Sequence, residues 1–106
     1  MTAIIEQNAV GNRREFTLTV SAHADISRGG GSVRQTLIQA RAARTPDGYT
    51  SADTRVLSDD FTWTTILSLT GDMAAVPEPA PGEDFIQTLK NYGLDLVERT
   101  IRIISL

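Results

Sequence analysis

The stretch Phe61-Thr62-Trp63-Thr64-Thr65-Ile66-Leu67-Ser68-Leu69-Thr70 decides how this chain is read. Its odd positions are Phe, Trp, Thr, Leu and Leu; its even positions are Thr, Thr, Ile, Ser and Thr. Successive side chains of a strand point to opposite faces, so a period of two with one apolar and one hydroxylated face predicts a strand. The sheet it belongs to has one face on a core and the other near water. On this reading Phe61, Trp63 and Leu67 face the core, with Trp63 a core residue.

Toward the N-terminus, residues 2–10 read as a first strand and Gly11-Asn12 as a tight turn. Residues 14–22 alternate, with Phe16, Leu18, Val20 and Ala22 on one face and Thr17, Thr19 and Ser21 on the other. Together they predict a hairpin. Gly29-Gly30-Gly31 is a flexible loop or a close backbone approach. Ser32 and Gln35 have capping-box spacing, and Val33, Leu37, Ala40 and Arg44 share a face at helical spacing. They predict a helix, stopped by Thr45-Pro46-Asp47-Gly48. Residues 54–57 read as a short strand that Ser58-Asp59-Asp60 turns into residues 61–70.

Beyond that strand, Pro77-Glu78-Pro79-Ala80-Pro81-Gly82 reads as a rigid, extended arm. Asp84 caps a helix with Gln87 at its third position, and Gly93 is a natural stop. The β-branched tail Thr100-Ile101-Arg102-Ile103-Ile104 favours a closing strand over a continued helix. The order β-β-α-β-β-α-β predicts an α+β fold: a mainly antiparallel sheet of about five strands with two helices packed on one face. With 106 residues, a single domain over 1–106 is expected, and the arm at 77–82 leads to the C-terminal helix and strand.

Composition narrows the function classes. There are no cysteines, which excludes disulfides, thiolate chemistry and cysteine-built metal sites and fits a reducing, cytoplasmic setting. No leader pattern opens the chain and no apolar run reaches membrane-spanning length, so no membrane is expected as a partner. Residues 1–55 hold seven arginines against five acids, whereas residues 56–106 hold three basic groups against eight acids. The acidic half repels phosphate backbones, and no aromatics are interleaved with the arginines, so nucleic acid is disfavoured. A second copy or an acidic protein fits this asymmetry better.

Three groups of residues bear on chemistry. Arg28-Gly29-Gly30-Gly31-Ser32, followed by Arg34, suits an anion if Ser32 opens a helix with free backbone N–H groups. It matches neither the nucleotide P-loop nor the dinucleotide fingerprint. His23 and Asp25 lie two apart, so in an extended segment the carboxylate can orient the imidazole for acid–base work. Asp59, Asp60 and Asp72 are loop carboxylates whose spacing fits no calcium loop. No metal or cofactor is implied by any motif.

The expectation that follows is a non-enzymatic interaction or assembly protein, acting as a homo-oligomer or as a subunit of a larger complex. Neither terminal strand carries Pro or is loaded with Lys, so the sheet edges are open to pairing. The alternatives are a small anion-binding module built on residues 28–32, and a small cofactor-independent enzyme using His23.

Overall fold

The hairpin at the N-terminus forms as its alternation dictates. The computed structural model describes residues 5–28 and 31–105. Strand β1 (Ile5–Gly11) pairs antiparallel with β2 (Phe16–Arg28), from Gly11 opposite Phe16 to Ile5 opposite Ala22. The turn lies slightly later than expected, over residues 12–15, where the Asn12 side chain accepts from the backbone N–H groups of Arg14 and Glu15. Residues 2–4 of the expected first strand lie outside the described residues.

The segment 32–44 is a strand, not a helix. Strand β3 (Ser32–Arg44) pairs with β2 along its whole length, and residues 38–44 pair on the other side with β4 (Thr50–Leu57). Thr36, Ile38, Ala40 and Ala42 are buried on one face. Ordinary residues differ in helical preference by only tenths of a kcal/mol each, up to about 0.7. Backbone ladders on both sides and a buried alternating face outweigh it. Thr45-Pro46-Asp47-Gly48 accordingly turns one strand into the next: Thr45 N–H donates to Tyr49 O and Gly48 N–H to Thr45 O.

Strand β5 (Trp63–Thr70) completes a five-stranded sheet of order β1-β2-β3-β4-β5. Its pairing with β4 contains a bulge. Thr54 lies opposite Leu67 but Arg55 lies opposite Thr65, so Ile66 is an extra residue. An extra residue shifts the alternation by one. After it, Leu67 and Leu69 point to the core; before it, Trp63 and Thr65 point to the opposite face. Trp63 is therefore 38% exposed and Phe61, in the preceding turn, is 82% exposed, against the expectation that both are core.

A 3-10 turn, Gly71–Ala74, leaves β5, and the proline arm crosses the end of the sheet. Arg13 Nη2 donates to Ala80 O at 3.3 Å and Arg44 Nη2 to Glu78 Oε1 at 3.4 Å. The arm delivers α1 (Phe85–Ile104), in which Asp84 Oδ1 accepts from Gln87 N–H at 3.1 Å as its cap. Residues 94–104 continue this helix and form no strand. Their β-branched residues are tolerated because Leu96, Val97 and Thr100 bury against the sheet in line with Leu89 and Gly93. The fold is thus α+β with one helix, not two interleaved with strands.

The core lies between α1 and one sheet face. Phe16, Leu18, Val20, Ile26, Ile38, Leu89 and Val97 are each no more than 2% exposed. Burying a side chain of this size contributes about 1.5–3 kcal/mol relative to exposure. The helix sits mainly over β2 and β3. Toward β5 the cover thins: Ile66, Leu67 and Leu69 are only half-buried, and Met73 is exposed.

Candidate functional site

The face of the sheet away from α1 carries no described covering element. Its residues form rows across the strands. One row is Glu6, Ser21, Gln39, Arg55 and Thr65; the next is Asn8, Thr19, Arg41, Asp53 and Ser68. In the first row Gln39 Nε2 donates to Ser21 Oγ at 3.2 Å, while Gln39 Oε1 accepts from Arg55 Nε at 2.9 Å and Nη2 at 2.6 Å. The Arg55 guanidinium lies 4.0 Å from the centre of the Trp63 ring. Held from the side and from below, Arg55 and Trp63 form a fixed aromatic–cation pair.

The second row holds a forked ion pair. Arg41 Nε and Nη2 donate to the two Asp53 oxygens at 2.9 and 2.7 Å. The hydrogen bond to Asp53 raises the Arg41 pKa above its ordinary value, with desolvation opposing and Coulombic attraction adding. Beside it, small side chains such as Thr17, Thr19, Ala43, Ser51 and Thr70 leave a hollow of about 300 Å³. The face is rich in hydroxyls, with Thr17, Thr19, Ser21, Ser51, Thr65, Ser68 and Thr70 on it.

The β4–β5 turn raises the aromatic end of this face. Phe61 adopts φ 63, a left-handed conformation that bulky residues rarely take. Hydrogen bonds hold it there: Ser58 N–H donates to Thr62 O and Phe61 N–H to Ser58 O. Asp60 Oδ1 accepts from the Thr62 hydroxyl and backbone N–H, which hold its carboxyl below the usual range.

The residues singled out from the sequence are scattered. His23 and Asp25 do share the open face of β2, as their spacing requires, with Leu37 and Gln35 opposite them. His23, Glu6, Ser21 and Leu37 line a hollow of about 180 Å³. That is below the size usual for a ligand pocket, about 300–1,000 Å³. The glycine loop joins β2 to β3, with Arg28 opposite Ser32 as the last pair. Ser32 thus begins a strand and caps no helix, so the row of free helical N–H groups expected beside the loop is missing. Gly29 and Gly30 lie outside the described residues; Gly31 has φ 81. Arg34 forms an ion pair with Asp59 of the β4–β5 turn. Arg34, Asp59, Thr36, Val56, Thr64 and Ile104 line a hollow of about 650 Å³, where β3 runs past the end of its pairing with β4.

Asp59 and Asp60 lie at one end of β5 and Asp72 beyond the other, so the strand's eight residues separate them by roughly 25 Å. Among the described residues no three His, Cys, Asp or Glu side chains group in a way that could hold a metal ion. No described helix is long and apolar enough to cross a membrane. The Gln39–Arg55–Trp63 cluster is not legible in local sequence pattern: a helix over residues 32–44 takes Gln39 out of the sheet, and without the bulge at Ile66 the alternation of residues 61–70 turns Trp63 inward. The alternation of Thr36, Ile38, Ala40 and Ala42 was the available signal for Gln39. No family model, curated protein or solved structure matches the chain.

Proposed function

We propose that this protein is a non-enzymatic interaction or assembly module that works by associating with copies of itself. The observation that carries this reading is the edge of the sheet at β5, which has no further strand beside it among the described residues. The eight residues Trp63–Thr70 contain no charge and no proline. An open edge strand presents unpaired N–H and C=O groups to any matching strand. The fixed aromatic–cation row beside it adds residue types enriched at interface hot spots. The cysteine-free composition fits a reducing compartment such as the cytoplasm.

The other two expectations draw less support. An anion module at residues 28–32 relied on a helix opening at Ser32, and Ser32 begins a strand instead. An enzyme using His23 needs a cleft that holds substrate away from water, and the hollow beside His23 is only about 180 Å³. The test is sedimentation equilibrium at micromolar concentration. A mass above that of the 11.5 kDa chain supports self-association, and a clean monomer overturns it.

A further inference from the structure

Resting on the assembly reading, we infer that two copies join through β5 about a two-fold axis, giving one continuous ten-stranded sheet with Ser68 opposite its own copy. Of the two edge strands, β5 is singled out by charge and by burial. A charged side chain on an edge strand guards it against pairing with another strand, and an edge strand without one is unguarded. β5 carries none, whereas β1 carries Glu6.

Burial points the same way. Because α1 lies over β2 and β3, the inner face of β5 is an unfinished shelf. Ile66, Leu67 and Leu69 are half-buried there, and Met73 is 75% exposed beyond them. Joining two β5 edges sets two such shelves side by side and extends one apolar face across the axis. Pairing β5 with β1 of a second copy instead would bring the shelf to Gln7 and Ala9. It would also repeat without closing, which yields filaments.

The register follows from the bulge and from symmetry. Residues 67–70 are the regular part of β5, paired without a break to residues 51–54. Directly opposed residues of an antiparallel pair lie on the same sheet face. An axis perpendicular to the sheet keeps inner face with inner face, so one residue must sit opposite itself. With Ser68 on the axis, Leu67 and Leu69 face each other's copies on the inner side. The Ser68 hydroxyls meet on the open side. The neighbouring Asp53 is already engaged by Arg41, so no unpaired carboxylate is brought to the axis.

The chain has no cysteine, so a single introduced thiol reports one contact without background. Ser68→Cys should oxidise to a covalent dimer, whereas Asn8→Cys, at the centre of β1, should stay monomeric on a non-reducing gel. Ser68→Lys places a charge against its own copy, and sedimentation equilibrium should show the dimer dissociation constant raised at least about tenfold. Circular dichroism on Ser68→Lys verifies that the fold survives. A wild-type oligomer that cross-links through Asn8→Cys but not Ser68→Cys, or whose mass is unmoved by Ser68→Lys, overturns this interface and leaves self-association standing. A wild-type monomer overturns both.

Discussion

A methyl group built on Gly93 would lie 2.5 Å from Val20 Cγ2 and 3.1 Å from Leu18 Cδ2. The helix therefore approaches the sheet at its one residue without a side chain. Glycine in a helix interior costs roughly 0.5–1 kcal/mol relative to alanine. Here that cost is offset by close contact with β2, and Val20, stiff at χ1 and fully buried, cannot step aside. Gly93→Ala should destabilise the protein by about 1–2 kcal/mol net, because overpacking exceeds the gain in helical preference. Chemical denaturation of the two proteins measures it. A more stable alanine variant would show that helix and sheet are not packed this closely.

The second lock between helix and sheet is polar. Thr100 Oγ1 donates to Thr54 Oγ1 at 2.7 Å, and both residues are fully buried. Removing one hydroxyl leaves the other without a partner, which costs about 1–3 kcal/mol. Thr54→Val and Thr100→Val should each be destabilising. The double variant should recover most of the loss, since two apolar groups of the same shape satisfy each other. Additive losses in a double-mutant cycle would argue that the hydroxyls are satisfied elsewhere.

On the open face, Trp63 contributes less than a core aromatic. Trp63→Ala should cost about 1–2 kcal/mol, from partial burial and the contact with Arg55. Phe16→Ala, 2% exposed at the head of β2, should cost about 3–5. Native-state acrylamide quenching should reach the indole, and Arg55→Ala should alter its emission. An indole shielded from quencher would mean that residues before the bulge face the core after all.

The strained turn makes an opposite prediction. A left-handed conformation costs an ordinary residue roughly 1–2 kcal/mol, and glycine relieves it while adding unfolded-state entropy worth about 0.4–1. Phe61→Gly should therefore stabilise the isolated chain by about 0.5–1 kcal/mol. If Phe61 serves an interface, the same change should weaken association. A destabilised monomeric unit would indicate that the ring packs within its own chain.

Tyr92 links stability to alkaline pH. Its hydroxyl donates to Ala74 O, joining α1 to the turn after β5. Burial pushes the phenol above its ordinary value, partly opposed by Arg99. The folded state thus holds the proton more tightly than the unfolded state. The contribution is full below the unfolded pKa of about 10 and is lost as pH rises through the folded value. Tyr92→Phe should lose about 0.5–1.5 kcal/mol below that pH. The deficit should shrink as pH climbs above it, as urea midpoints across alkaline pH would reveal.

What the sequence by itself determined was the structure that neighbouring residues settle among themselves. The alternation of residues 16–22 requires a strand whichever strands flank it, and the Asp84–Gln87 spacing caps a helix whatever that helix packs on. The open edge at β1 was equally legible, because missing Lys and Pro are visible in the chain, whereas β5 became the other edge only because the C-terminal tail continues as helix instead of adding a strand. Residues 32–44 suited a helix and a strand almost equally by local preference, and only β2 and β4 on either side decided between them. Gly93 could be a stop or a contact until Val20 and Leu18 filled the space in front of it. The bulge at Ile66 arises from pairing with β4, so no property of residues 61–70 alone could reveal that Trp63 faces outward. Each of these choices depends on a partner distant in sequence, and differences of tenths of a kcal/mol in local preference yield to ladders and buried contacts worth several.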